Sequence, residues 1–353
     1  MSTEIVVFVY IILCICMLVY NLGYMGYKKA DKRMSSKMVL RWKKRILDNK
    51  GVQVEFLNKK LLYLRNLFIF DDAISAIMKN DEKNAFLYLN TNKESFLYLA
   101  KIYEKKDSMK KAYYAYMMSK FNFLDNDFET KIAKVLINYT IDPSIYCREN
   151  ALKALYSKNN IQTIVEAYRL MNKNKIHHNS KLVVDGLLSF KGDKIALAYA
   201  LWEYRNEFGV EYHISFIDFA RMITADFCKK FYDFLLEDNT DYEIKYALLR
   251  YFRKYRYEPV KEYLYNCINF QEGISWELVA LAASALDNYP CNKTKEILKS
   301  ALTANNWYVR YNAADSLLNL GITYLELQNI YNGNDRYARE MIEFKIQEKN
   351  IRA

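Results

Sequence analysis

The sequence predicts an all-α protein, with a membrane-spanning helix followed by stacked helical hairpins. Three observations carry that prediction. Gly and Pro together make up 12 of 353 residues, about 3% where roughly 12% is usual, too few for the turns of a sandwich, a barrel or a many-stranded α/β fold. An apolar run opens the chain, and a small residue in similar surroundings returns every thirty-odd residues through its C-terminal half. With 52% apolar residues the chain is not disordered, and its length suits two domains or one elongated repeat array.

Residues 1–27 are the expected transmembrane helix. From Ile5 to Leu22 the run IVVFVYIILCICMLVYNL has Asn21 as its only polar side chain besides tyrosine hydroxyls. Eighteen helical residues cover about 27 Å, and continuation to Tyr27 covers about 35 Å, which brackets a hydrocarbon core of roughly 30 Å. Tyr20, Tyr24 and Tyr27 then form an interfacial belt. A cleaved secretory signal is the alternative, but the Met-Ser-Thr-Glu start has no positive charge and no small-x-small site follows the run.

The net charge of +11 invites a nucleic-acid reading until its distribution is considered. Residues 1–23 carry −1, residues 24–60 carry +9 and the remainder only +3. The excess is a block of Lys28, Lys29, Lys32, Arg33, Lys37, Arg41, Lys43, Lys44 and Arg45, so a nucleic-acid partner is disfavoured. Its position on the C-terminal flank of the span places residues 28–353 in the cytoplasm of a single-pass membrane protein. Within the segment 28–60, Met34, Met38, Trp42 and Ile46 recur at every fourth position with cations on the other faces. The pattern fits an interfacial helix with Trp42 and the cations in contact with lipid, and equally a linker helix whose stripe packs on the first repeat.

Cys14 and Cys16 lie in the span, while Cys147, Cys228, Cys267 and Cys291 fit neither a disulfide framework nor a zinc site. They read as small core residues in a reducing compartment. In that compartment the Asn-x-Ser/Thr matches at Asn138 and Asn292 carry no glycan.

Residues 61–140 are expected to form helical hairpins. Phe96, Leu99, Ala100, Tyr103, Ala112, Tyr116 and Ser119 have the spacing of one unit that resembles a tetratricopeptide repeat. Residues 141–353 are expected to form the main array. Asp142 is placed to cap, Pro143 fits the first helical turn, and Ala151, Ala154 and Leu155 form an inward stripe. With Arg148, this stretch resembles the first helix of a HEAT repeat. A second copy runs from Asn306 through Arg310, Ala313, Ser316 and Leu317 to a stop at Gly321.

Weaker copies follow the position of Ala151 through Gly186, Ala220, Leu248, Ala282 and Ala313, at spacings of 35, 34, 28, 34 and 31. Pro143, Pro259 and Pro290 all fall at helix starts or in turns, and Asp335 to Asn350 reads as a capping helix. The resemblance implies a right-handed, armadillo-like α-solenoid over roughly residues 140–350. It implies a fold more than a function, since such repeats serve scaffolds, adaptors and some enzymes.

No glycine-rich phosphate loop, zinc-protease, nucleophile-elbow or Cys-x-x-Cys motif occurs. His177-His178 reads as a solvated turn and His213 as a residue near a helix start, with no third metal ligand indicated; no cofactor or metal is expected. Asp71-Asp72, before Ala73-Ile74, reads as an acidic helix N-terminus. Cys147-Arg148 is similar to a feature of HEAT-like bilin lyases, although Cys147 also fits as core filler. Arg310 beside Trp307 is similar to the HEAT-like alkylpurine DNA glycosylases. The 32 tyrosines suggest an interaction surface, or a chain-wide bias toward Tyr, Ile, Asn and Lys.

The expected function is a non-catalytic, membrane-anchored scaffold of bacterial composition. Its solenoid would bind a membrane-associated protein complex such as a cell-envelope polysaccharide synthase or glycosyltransferase; the alternative is a HEAT-like enzyme or DNA-binding protein. Asp142, Pro143, Arg148, Ala151, Ala282, Arg310 and Ala313 are the expected repeat-structural residues.

Overall fold

The computed structural model describes residues 3–48, 51–269 and 273–352. Among them it is all-helical, with no strand. The chain forms two compact units, Met1–Lys158 and Asn159–Ala353. The division falls after Lys158 rather than at residue 140, because the helix that follows Asp142 packs on earlier helices of the first unit.

The first unit contains α1 (Thr3–Asp48), α2 (Val54–Lys60), α3 (Leu64–Met78), α4 (Glu82–Thr91), α5 (Lys93–Tyr103), α6 (Ser108–Met118), α7 (Asn126–Tyr139) and α8 (Ile145–Tyr156). α1 runs without a break through the expected boundary at residue 27, because no Pro interrupts the hydrogen-bond ladder. Its apolar stretch is long enough to cross a membrane, and none of that stretch is buried within the chain. The other end of the helix is part of the unit's core. Trp42 sits 5.4 Å from both Phe56 and Phe70, ring centroid to centroid, and Ile46 is buried beside it. Trp42 is therefore a packing residue and not a lipid contact. Arg45 likewise turns inward, its guanidinium over the Phe56 ring and its Nε donating to Gln53 Oε1 at 2.9 Å.

Asp71 also departs from its expected role. It is mid-helix in α3 and buried, accepting from Lys120 Nζ at 2.7 Å and from Tyr113 Oη at 2.8 Å. The real caps lie elsewhere: the side chains of Asp81, Asp107 and Asp125 accept from the first turns of α4, α6 and α7. Of the tetratricopeptide-like positions, Phe96, Leu99, Ala100, Tyr103 and Ala112 are buried between α5 and its neighbours, whereas Tyr116 and Ser119 are half-buried. α8 begins at Ile145 with Ser144 as N-cap, so Asp142 and Pro143 precede the helix. Asp142 instead orders the turn, accepting from Ser144 N–H at 2.9 Å and pairing with Lys111.

The second unit contains α9 (Ile161–Lys173), α10 (Ser180–Leu188), α11 (Lys194–Glu203), α12 (Val210–Ile223), α13 (Cys228–Leu235), α14 (Tyr242–Lys254), α15 (Val260–Asn269), α16 (Trp276–Ala285), α17 (Asn292–Ala301), α18 (Trp307–Asn319), α19 (Gln328–Tyr331) and α20 (Arg336–Arg352). α10, α12, α14, α16, α18 and α20 touch in succession, with α11, α13, α15 and α17 packed alongside as a second layer. Each hairpin buries the face it cannot cover alone against the next, which is the logic of a repeat array.

The small positions share one place in their helices, Ala151 in α8 of the first unit and the others in the second. Ala151, Gly186, Leu248, Ala282 and Ala313 are each the seventh residue of their helix. In α12 the seventh residue is Phe216, and Ala220 lies one turn further on; an aromatic at the small position hid the register. Arg148 and Arg310 do the same work in their two copies. Each guanidinium reaches back six residues to a loop carbonyl, Arg148 Nη1 to Asp142 O at 2.8 Å and Arg310 Nε to Ala304 O. Gly321, at φ +66°, ends α18 as predicted, with Ile322 N–H donating to Leu317 O and Gly321 N–H to Leu318 O. α20 turns Ala338, Met341, Ile342 and Lys345 inward, and Lys345 Nζ meets Asp315 at 2.9 Å.

Buried tyrosines clip successive hairpins. Tyr103 donates to Leu61 O, Tyr139 to Ala100 O, Tyr212 to Ile176 O, Tyr251 to Thr224 O and Tyr289 to Tyr257 O, all at 2.7–3.3 Å. Ring and hydroxyl serve together, the ring filling the core and the hydroxyl donating to a backbone carbonyl, which lies outside a helix in every case but Ala100. Burial pushes the Tyr103 phenol up to about 12. Part of the tyrosine excess is thus architectural.

Candidate functional site

Several of the exposed rings of the second unit lie at the N-terminal ends of its first-layer helices. Tyr242, Trp276 and Trp307 are the first residues of α14, α16 and α18, each directly after an N-cap whose side chain accepts from the first turn: Asp241, Ser275 and Asn306. A residue there points off the end of the helix, away from the interhelix face. All three are exposed, as are Tyr308 and, in the first turn of α20, Tyr337. Stacking of the helices brings these rings together. Trp276 stacks on Tyr308 at 5.3 Å, Trp307 stands edge-on to Tyr308 at 5.1 Å and stacks on Tyr311 at 4.9 Å, and Tyr311 lies 6.5 Å from Phe344. Tyr246 joins the row through a 2.7 Å hydrogen bond to the Ser275 hydroxyl.

At the α20 end the row opens into a cavity of about 500 Å³ lined by Asn305, Trp307, Arg310, Tyr337, Glu340, Met341 and Phe344. Its charged groups face their own partners. Arg310 Nη1 donates to Asp335 Oδ1 at 2.9 Å and its guanidinium lies over the Tyr337 ring, while Glu340 accepts from Arg336 at 2.5 Å. The Arg310 hydrogen bond holds the Asp335 carboxyl below its usual range. The cavity therefore presents ring faces of Trp307, Tyr337 and Phe344 beside charged groups that are already paired.

The candidates for chemistry are dispersed. His177 is exposed against the Tyr212 ring at 5.3 Å, whereas His178 is buried, a correction to the solvated-turn reading. His213 lies in α12 beside Phe234, where burial lowers its pKa. Cys147 is fully buried and its thiol is pushed up to about 12, which suits core filling. Cys291 differs: as N-cap of α17 it faces Thr294 and Tyr265, whose hydrogen bonds lower its thiol to about 7. Among the described residues no group of three His, Cys, Asp or Glu is arranged to hold a metal.

Of the predicted site residues, the structure brings Arg310 to the cavity, buries Ala282 and Ala313 in the core, and leaves Asp142, Pro143, Arg148 and Ala151 in the other unit. Lys28, Lys29, Lys32, Arg33, Lys37, Arg41 and Lys44 are exposed along α1, and Lys43 is half-buried. Sequence reasoning missed Trp276, Tyr308, Tyr337 and Phe344. The signal was present as an aromatic immediately after each cap, in Asp241-Tyr242, Ser275-Trp276 and Asn306-Trp307.

No protein-family description and no curated protein matches the chain. Two solved structures align with it at low identity. Human deoxyhypusine hydroxylase in complex with glycerol is 12% identical with a TM-score of 0.28, covering 83% of this chain and 94% of its own. A designed armadillo repeat protein is 15% identical with a TM-score of 0.24, covering 64% of this chain and 99% of its own.

Proposed function

We propose that the protein is a membrane-anchored scaffold: α1 spans a membrane once, and the helical repeats bind a membrane-associated protein through the exposed aromatic row. The observation that carries this reading is the row itself. Tryptophan and tyrosine rings held exposed on consecutive repeats, with a cavity at one end, match the anchors that dominate protein interfaces, where Trp, Tyr and Arg supply most of the affinity. The unburied apolar stretch of α1, followed by Lys28, Lys29, Lys32 and Arg33, supports the span and a cytoplasmic placement of the repeats. Tethering raises the effective concentration of the repeats beside other membrane proteins, so the partner we propose is a membrane-associated enzyme complex, with a polysaccharide synthase or glycosyltransferase as the specific expectation. We also take the array to be a right-handed, HEAT-like solenoid.

The test is mass spectrometry of proteins crosslinked to the full-length chain in gently solubilised membranes, for wild type and for Trp276→Ser/Trp307→Ser. Both rings are about half exposed and belong to no core layer, so the variant is expected to fold with a modestly lower melting temperature while losing a stoichiometric membrane protein that the wild type retains. Equal recovery of the same proteins by both would remove the aromatic row from the interface and sink this reading.

A further inference from the structure

We propose that the turn joining α2 and α3 is a second membrane contact, in which Lys59, Lys60 and Tyr63 rest on an anionic lipid surface beside Lys28, Lys29 and Lys32. The proposal builds on the reading of α1 as a span. It adds a site from a different part of the chain, placed by tertiary contacts.

The placement follows from one ion pair and the rise of a helix. α1 is continuous, so Asp31 lies about 6 Å along the axis from Tyr27, the last ring of the aromatic belt. Asp31 Oδ1 accepts from Arg65 Nη2 at 2.6 Å. Arg65 is the second residue of α3, directly after the turn at residues 61–63. The turn is thereby held near the level at which α1 leaves the hydrocarbon, within or just above a headgroup layer about 5–8 Å deep. An anionic surface attracts cations across about one Debye length, roughly 8 Å at physiological ionic strength.

The turn is also built to present these side chains outward. Leu57, Leu61 and Leu67 are fully buried, which leaves Lys59, Lys60 and Tyr63 facing solvent, Tyr63 at 68% exposure. Tyr103 Oη donates to Leu61 O at 3.0 Å and Asn66 Nδ2 to Lys60 O at 2.9 Å, so the backbone is pinned from both sides. Within residues 28–37 and 59–65 the single acid is Asp31, and it is paired with Arg65. Lys28, Lys29, Lys32, Arg33, Lys59 and Lys60 thus offer positive charge on both elements, with a tyrosine ring of the amphipathic kind that sits at headgroup depth. A nucleic acid or an acidic protein would also meet this charge, but the bilayer is the surface that the span brings to it. Two attachments in place of one fix the rotation of α1 about its axis and so the face that the first unit turns from the membrane.

The experiment places the photo-crosslinker p-benzoylphenylalanine at position 63, at position 18 within the span, and at position 98, an exposed tyrosine of α5, in the full-length protein in nanodiscs. Discs are made of phosphatidylcholine alone or with a third of it replaced by phosphatidylserine, and lipid adducts are read by mass spectrometry. The expected result is adducts at 18 in both discs, none at 98, and adducts at 63 that rise about fivefold with phosphatidylserine and fall back in Lys59→Glu/Lys60→Glu. Adducts at 18 with none at 63, or with no dependence at 63 on lipid charge, overturn the proposal and leave the span standing. No adduct at 18 overturns the span itself, and this proposal with it.

Discussion

Single side chains in this protein act through what surrounds them, and two cases give sharp predictions. Cys291 is expected to react with iodoacetamide in the folded protein at half its maximal rate near pH 7, because Thr294 and Tyr265 stabilise its thiolate. Cys147, fully buried with its thiol pushed up to about 12, is expected to react only after unfolding. Peptide mapping of labelled protein across pH reads both, and equal labelling of the two would refute the assignment. Lys120 makes the second case. It is the cation that Asp71 meets inside the first unit, so Lys120→Met strands a buried carboxylate and is expected to cost about 3 kcal/mol of unfolding free energy. Adding Asp71→Leu to the same chain is expected to restore much of that loss. A double variant as unstable as the single would show that the pair itself, not the stranded charge, sets the cost. Asp71 was legible as an acid near a helix but not as a buried one, since its partner lies 49 residues away.

Helix ends are where local sequence and local structure agree most closely. Gly321 was readable as a stop because a left-handed residue after a helix is ordinarily Gly. The same motif closes α9, where Lys175 takes φ +56°, Lys175 N–H donates to Asn172 O and Ile176 N–H to Met171 O. No Gly marked that end in the sequence. Lys175→Gly is therefore expected to raise stability by about 0.5–1 kcal/mol by relieving the left-handed strain, measured as an increased denaturation midpoint at constant m. A lowered midpoint would mean that the side chain of Lys175 holds the end by contacts that outweigh the strain. The tyrosine clips are the other device at this scale. Tyr251→Phe keeps the ring but leaves the Thr224 carbonyl without its donor, and the expected loss is about 1–2 kcal/mol. An unchanged midpoint would remove the hydroxyl from the account of hairpin stacking. These clips escaped sequence reading because a buried and a solvated tyrosine share one letter.

For the molecule as a whole, the perturbed groups set the direction in which pH acts. Burial lowers the pKa of His213 from its usual value of about 6.5, so between its two pKa values the unfolded chain binds more protons and stability rises with pH. As pH falls from about 6.5 the protein is expected to lose stability steadily. Asp335 and Glu326, held low by Arg310 and Lys295, add a further loss of the same sign once pH falls below about 4. Melting temperatures of wild type and His213→Gln between pH 7 and pH 5 separate the first contribution: the variant is expected to change less over that interval. A variant as pH-sensitive as the wild type would assign the effect to another group.

What the sequence determined alone is everything encoded between near neighbours in the chain. Helices without strands, an apolar segment long enough to span, a basic flank beside it, the helix stop at Gly321 and the small residue that returns every thirty-odd residues all follow from composition and spacing. Tertiary structure decided the rest, because it depends on which helices touch. It buried Trp42 in the core, laid half-buried Arg45 over the Phe56 ring, buried Asp71 against Lys120, aligned rings from helices some thirty residues apart into one row ending at a cavity, and set the Lys59–Tyr63 turn beside Asp31 of α1. An α-helix displays the same periodic stripe to a bilayer and to a neighbouring helix, so periodicity names the buried face without naming what buries it.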